Sequence, residues 1–261
     1  MADINPDNPI NPARKNIFCE VEYDGTNYYG FQIQNKSHVI ENTVQKEIER
    51  ALERLFKIPV RIAFSSRTDR GVHAKAQGIN FCIDTKISLV NIKRALNSFL
   101  PSDIRIRKTK AVSLDFHCRF WAISKVYRYT VFNRKEPSVF LKNYAWHLSQ
   151  PLDIEAMVNA KRLLTGKKNF SLFAKEKKRY KDCLRNVYEI TIKKRNSFVY
   201  IDIEADGFLR AMARSLAYFL VNVGLGKIDK SDVRPILDGS KPYSNKPALA
   251  GGLCLLKVYY R

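Results

Sequence analysis

The chain has 261 residues, of which 45% are hydrophobic and 11% are aromatic, as is typical of a folded globular protein. Its 46 Lys and Arg residues outnumber its 25 Asp and Glu residues, and a formal charge of +21 predicts a polyanionic partner, most simply a nucleic acid. No apolar run approaches the roughly 18 residues of a membrane-spanning helix, and residues 1–16 resemble neither a signal nor a transit peptide, so we expect a cytoplasmic protein with a flexible tail over residues 1–16 and no membrane partner.

Hydrophobic periodicity in the first half predicts strands and helices in alternation. Two helices are predicted over 44–55 and 89–99, and each is followed by a proline, Pro59 or Pro101. Four strands are predicted over 17–23, 60–65, 79–83 and 104–112. The resulting order, β-α-β-β-α-β, is that of the ferredoxin-like unit also found in RNA-recognition modules.

The second half shows a similar pattern. Strands are predicted over 125–132, 187–192, 198–205 and 253–260. Helices are predicted over 154–164 and from Leu209 to Val223, the latter closed by Gly224 and Gly226. The fold class is therefore α+β, with two ferredoxin-like halves over 17–115 and 116–261. No literal repeat relates the two halves, so the duplication is a prediction about structure.

Basic residues concentrate between residues 161 and 181, where they alternate with Phe170, Phe173 and Tyr180. Taken alone, this segment fits a solvated surface loop as well as a nucleic-acid contact. The overall positive charge favours a loop that follows RNA phosphates, with Lys175, Lys177 and Lys178 as candidate substrate-binding residues.

A strand leads into the polar turn Ser66-Arg-Thr-Asp-Arg-Gly-Val-His-Ala74, in which Arg67 and Arg70 flank Asp69. Nearby positive charge favours the ionised carboxylate, which can act as a nucleophile or a base. The alternative is an aspartate that caps a turn and is neutralised by surface arginines. The pattern does not fit an aspartic protease, because Arg70 stands where Thr or Ser is required.

This turn resembles the signature of the tRNA pseudouridine synthase A family, which reads Gly or Ser followed by R-T-D-x-G-V-H-A. Seven further segments resemble motifs of that family in the same order, so that the likeness extends over about residues 17–260: 23–32, 43–45, 101–104, 116–120, 124–129, 208–214 and 252–260. Lys168 and Asn169 depart from the family's usual His-Asp pair, and Arg70 from an alanine common in bacterial members.

The resemblance implies the pseudouridine synthase fold, with a central and mostly antiparallel sheet. It also implies an enzyme without a cofactor, a homodimer that isomerises uridine in the anticodon stem-loop of tRNA. Asp69 would be the catalytic carboxylate, Tyr127 would stack on the flipped base, and Arg214 would pair with Asp69. Arg67 would lie beside the pocket, where it contacts the RNA backbone or assists base flipping. Arg70, which departs from the family pattern, adds charge at the pocket rim and is a further candidate substrate-binding residue. Without the resemblance, the sequence favours Tyr127 as a core aromatic on a strand, and Arg214 as a solvated residue on a helix face shared with Arg210.

Five cysteines without a CxxC pair and four histidines without a ligand spacing predict free thiols and no metal site. Two other functions account for the charge and the fold: a non-catalytic RNA-binding protein and a structural component of a ribonucleoprotein. Neither gives Asp69, Tyr127 and Arg214 a joint purpose, so the enzyme is the favoured interpretation.

Overall fold

The fold comes from a computed structural model, which describes residues 14–34 and 42–261. Strands in these residues are β1 (Arg14–Tyr23), β2 (Ala63–Phe64), β3 (His73–Asp84), β4 (Ile104–Val112), β5 (Ala122–Asn133), β6 (Trp146–Leu148), β7 (Gly166–Asn169), β8 (Leu184–Arg195), β9 (Phe198–Ala205) and β10 (Leu253–Tyr260). Helices are α1 (Val44–Phe56), α2 (Leu89–Phe99), α3 (Ile154–Leu164), α4 (Met212–Gly224) and α5 (Val233–Asp238). None of these helices is both long and apolar enough to cross a membrane.

The described strands form one sheet in the order β4-β1-β3-β10-β5-β9-β8-β7, with β2 also paired to β3 and β6 to β5. Most pairs are antiparallel, as predicted. The last strand joins the two halves: β10 pairs antiparallel with β5 and parallel with β3, through Cys254 opposite His73 and Leu255 opposite Ala74. Leu255 also lies opposite Tyr127 of β5. The chain's last strand therefore brings Tyr127 beside the start of β3, directly after the Asp69 turn.

Local sequence explains the helices of the first half. Thr43 caps α1 by accepting a hydrogen bond from the Lys46 N–H, and Ser88 caps α2 in the same way with Asn91. Val44, Ile48 and Leu52 repeat along one face of α1 and are fully buried. The predicted order β-α-β-β-α-β is confirmed for this half.

Several predicted boundaries were wrong. β1 begins at Arg14, so residues 14–16 belong to a strand and not to the expected tail; residues 1–13 lie outside the described part of the chain. The strand expected over 60–65 is reduced to Ala63–Phe64. β3 begins at His73 instead of residue 79. Its first residues were missed because they include buried polar side chains, such as Gln77, which interrupt the apolar alternation.

The start of α4 was also predicted too early. Ala211 has a positive φ of 63°, so the helix begins at Met212 and not at Leu209. Two short strands, β6 and β7, and the six-residue helix α5 were not predicted, because segments of this length carry little periodicity. The predicted division at residue 115 lies between β4 and β5, and the sheet continues across it through β10.

Candidate active site

The turn that carries Asp69 links β2 to β3 and is held by its backbone on both sides. The Thr68 carbonyl accepts a hydrogen bond from the Phe31 N–H at 3.1 Å, and the Asp69 carbonyl accepts one from the Val72 N–H at 3.1 Å. The buried Thr68 hydroxyl also bonds the hydroxyl of Tyr23 at 2.8 Å. The backbone on both sides of the carboxylate is thus fixed before any substrate binds.

Gly30 permits this arrangement. Its φ is +97°, and a Cβ built there would lie 2.8 Å from the Thr68 carbonyl oxygen. Both the backbone conformation and the close approach require a residue without a side chain. Gly30 and Phe31, in the segment 23–32 that resembles a family motif, therefore support the backbone of the Asp69 turn.

Arg214 reaches Asp69 from the first turn of α4, across 145 positions of sequence. Its Nη1 lies 3.1 Å from Asp69 Oδ2, and its Nε donates to the Ala248 carbonyl at 2.7 Å. The Ala248 N–H in turn donates to the Arg214 carbonyl at 3.2 Å. No hydrogen bond from the described residues reaches Asp69 Oδ1, so Arg214 holds one carboxylate oxygen and the other has no partner among these residues.

Tyr127 meets the same turn from β5. Its hydroxyl bonds the Ser66 hydroxyl at 2.7 Å, and its ring packs edge-on against Phe208 with centroids 4.9 Å apart. The residue is 5% exposed and belongs to the hydrophobic core. Burial raises the pKa of the Tyr127 hydroxyl well above its usual value; the Ser66 hydrogen bond opposes this rise, and the charge of Asp69 adds to it. The hydroxyl is therefore protonated at neutral pH.

The two arginines that flank Asp69 both extend to the surface. The Arg70 guanidinium lies over the Tyr29 ring, 4.2 Å from its centroid. Arg67 makes no contact of this kind among the described residues. Both residues are therefore exposed positive charges beside the Asp69 turn.

Lys175, Lys177 and Lys178 are exposed on a segment with short 3₁₀ turns between β7 and β8. Its backbone is tied to the turn before α4: the Lys175 N–H donates to the Arg210 carbonyl at 2.9 Å, and the Arg210 N–H donates to the Tyr180 hydroxyl at 2.8 Å. Arg210 precedes the helix and pairs with Glu176, which corrects its predicted place on a helix face beside Arg214. The segment thus lies next to the start of α4, the helix whose first turn carries Arg214.

Two partners at the site were not predicted from the sequence. The Ala248 carbonyl has no readable pattern in a sequence, and Phe208 stands in the 208–214 motif but was given no role there. Lys125 lies on the same face of β5 as Tyr127, is half-buried, and has its pKa lowered to about 8, first by burial and then by the positive charge of Arg119. No group of three or more candidate metal-ligating side chains occurs in residues 14–34 and 42–261.

Comparison with known proteins gives consistent matches over nearly the whole chain. Residues 20–121 and 160–261 match the family model described as tRNA pseudouridine synthase. Proteins named tRNA pseudouridine synthase A from Thermoanaerobacter sp. (strain X514) and Bacillus licheniformis are 40% and 38% identical, over 94% and 93% of this chain and 100% and 98% of their own lengths. A protein named tRNA pseudouridine synthase A 2 from Clostridium perfringens is 39% identical over 94% of this chain and 100% of its own.

Proposed function

The chain belongs to the tRNA pseudouridine synthase family, and we propose that Asp69, Tyr127 and Arg214 form the active site at which it isomerises uridine in the anticodon stem-loop of tRNA. The observation that carries this assignment is the ion pair between Asp69 and Arg214, 3.1 Å long and formed between two segments far apart in sequence. A turn-capping aspartate has no need of a partner brought from another element.

The reaction breaks the bond between the sugar C1′ and N1 of uracil and forms one between C1′ and C5, while the proton on C5 is lost and N1 gains one. The substrate is neither oxidised nor reduced, and no group passes to another molecule, so the chemistry requires no co-reactant. A carboxylate can attack either the sugar or the base ring and leave again when the new bond forms.

Arg214 fixes which carboxylate oxygen reacts. Because Nη1 binds Oδ2 while Nε is held by the Ala248 carbonyl, the guanidinium cannot swing with the carboxylate, and Oδ1 keeps one direction. Such fixed placement lowers the entropic cost of reaching the transition state. The carboxylate is also 32% exposed, so a uridine turned out of its stem can reach it.

Tyr127, whose hydroxyl bonds Ser66 of the Asp69 turn, and Phe208, which packs edge-on against it, supply aromatic rings for the target base. A base that has left its stack recovers part of the lost stacking on aromatic rings, which gives a buried aromatic pair a purpose here. Since its pKa is raised, Tyr127 takes part in any proton movement as a neutral hydroxyl hydrogen-bonded to Ser66, and not as a phenolate base.

Binding of the tRNA is assigned to surface charge. Arg67 and Arg70 lie beside Asp69, and Lys175, Lys177 and Lys178 lie near the start of α4; all five are exposed. Cytoplasmic location and a homodimer complete the proposal and rest on the family resemblance. Light scattering of the purified protein tests the dimer by its mass.

Single-turnover formation of pseudouridine, with enzyme in excess over unmodified tRNA, tests the assignment because it separates chemistry from binding and release. Asp69→Asn keeps the shape of the side chain but is a far poorer nucleophile, so product should fall to background while most tRNA affinity persists. Asp202→Asn is the matched control, because Asp202 also pairs with an arginine, Arg128, at 2.7 Å on β9 and has no proposed role in the chemistry. An Asp69→Asn rate near that of the unaltered enzyme would return Asp69 to a turn-capping role. A non-catalytic RNA-binding protein would give no product with either variant or with the unaltered chain.

A further inference from the structure

A groove of about 520 Å³ lies beside the active site and is not used by the proposed chemistry. Its floor includes Ser215 of α4, the neighbour of Arg214. One wall is formed by the lysine segment from Ser171 to Lys178, and the other by Tyr243, Asn245 and Pro247. Its volume is within the range of about 300–1,000 Å³ that small-molecule sites occupy.

Two residues that line this groove each carry a buried polar atom with no hydrogen-bond partner among the described residues: the Tyr243 hydroxyl and Asn245 Oδ1. Their side chains are nevertheless fixed. The Asn245 amide nitrogen donates to the Leu172 carbonyl at 3.1 Å, which leaves Oδ1 as a free acceptor. The Tyr243 ring packs edge-on against Phe219, with centroids 5.4 Å apart. Buried polar groups are rarely left unpaired, so a ligand that reaches the Asn245 acceptor and the Tyr243 hydroxyl from the groove would satisfy both.

The mouth of the groove is positive. Lys175, Lys177 and Lys178 are exposed along it, and the carboxylate of that wall, Glu176, is paired with Arg210. A ligand suited to this groove carries negative charge at one end and hydrogen-bonding groups at the other. A nucleotide has that layout, with its phosphate at the rim and its base edge inside.

The groove is coupled to the catalytic ion pair through the chain itself. Pro247 lines the groove, and the next residue, Ala248, binds Arg214 through both its carbonyl and its N–H. Anything seated against Pro247 therefore lies close to the segment that holds Arg214. This proximity favours an occupant that belongs to the same RNA as the nucleotide reacting at Asp69.

We propose that this groove binds one nucleotide of the tRNA other than the target uridine, with its phosphate at the lysine rim and a base N–H donating to Asn245 Oδ1. The Tyr243 hydroxyl completes the contact with the same base. This inference rests on the proposed function, since it takes tRNA as the substrate. It makes the groove a determinant of which tRNAs are bound well, separate from the chemistry at Asp69.

Tyr243→Phe tests the proposal because it removes only the unpaired hydroxyl. In the free protein, loss of an unsatisfied buried group should leave the melting temperature unchanged or raise it, whereas affinity for unmodified tRNA should fall about three- to tenfold. Tyr188→Phe is the matched control, because it removes a hydroxyl from a tyrosine that is 46% exposed on β8. Equal tRNA affinity of Tyr243→Phe and the unaltered protein would overturn the proposal.

An abasic scan of the anticodon stem-loop RNA identifies the occupant. The affinity penalty of Tyr243→Phe should vanish when the base that enters the groove is removed, and should persist at every other position. A penalty that persists at all positions means that no base is bound, and the proposal fails. Pseudouridine formation by the unaltered enzyme is measured in parallel. If product forms but Tyr243→Phe does not change tRNA affinity, only the proposal for the groove is wrong. If no product forms, the proposed function is wrong.

Discussion

The Asp69 turn and the lysine segment both face the proposed RNA substrate, but they are built in opposite ways. Asp69 is fixed by hydrogen bonds to its own backbone and its neighbour's, by the close approach of Gly30, and by Arg214 from a distant helix. Lys175, Lys177 and Lys178 project into solvent from a segment held by its backbone, by the Tyr180 hydroxyl and by the Glu176–Arg210 ion pair, none of which holds the lysine side chains themselves.

The difference follows from what each region has to do. Reaction at a carboxylate requires that atoms be held within a fraction of an ångström, and the protein achieves this through contacts from several elements. Attraction of phosphates depends on the number and proximity of charges, and long flexible side chains serve it well. Substitutions should therefore affect the two regions in different measurements.

After the loss expected for Asp69→Asn, the largest effect is expected at Arg214. Arg214→Lys keeps the positive charge, but an ammonium group cannot bind Asp69 and the Ala248 carbonyl as the guanidinium does. We expect single-turnover pseudouridine formation to slow on the order of 10²-fold, with tRNA affinity little changed. Arg210→Lys is the matched control on the adjacent turn. If both variants react at the same rate, the exact placement of the Arg214 guanidinium does not affect the reaction. The Asp69 turn would then depend on charge alone, as the lysine segment does.

The next effect concerns Gly30, and Gly226 provides its control. Both have a positive φ, +97° and +69°, but an added Cβ meets the Thr68 carbonyl at 2.8 Å only at Gly30, whereas nothing lies within 4 Å at Gly226. Alanine at either position should lower the free energy of unfolding by about 1–3 kcal/mol through backbone strain. Gly30→Ala should lower the free energy of unfolding more than Gly226→Ala does, and it should also slow turnover. Urea denaturation and single-turnover kinetics measure the two quantities; equal behaviour of the two variants would show that the close approach is unimportant.

The smallest effect is expected in the lysine segment. Replacing Lys175, Lys177 and Lys178 together with Ser should weaken tRNA binding on the order of tenfold at moderate salt and flatten the slope of log affinity against log salt by about two to three units. The rate at saturating enzyme should stay the same. The control removes the same charge from exposed lysines elsewhere: Lys57, Lys86 and Lys135. An unchanged slope would remove the segment from the interface.

Sequence reasoning succeeded where the signal is local. The bounds of α2 and β4 were predicted correctly, because Pro101 and the apolar repeat mark them. It failed at β3, where buried polar residues interrupt the alternation, and at α4, where the left-handed conformation of Ala211 has no marker in the sequence. Asp69 and Tyr127 were predicted as site residues through motifs, not through periodicity.

By itself, the sequence determined the class of partner, through its charge, the elements of the fold, through their apolar periods, and the family, through ordered motifs. Only the tertiary structure decided which distant residues meet. The insertion of β10 between β3 and β5 sets the position of Tyr127, and Ala248 holds Arg214 against Asp69. It also left the Tyr243 hydroxyl and Asn245 Oδ1 unpaired beside that site. The physical reason is range: periods and caps act over a few residues, whereas the order of strands in a sheet places side chains 145 positions apart within hydrogen-bonding distance.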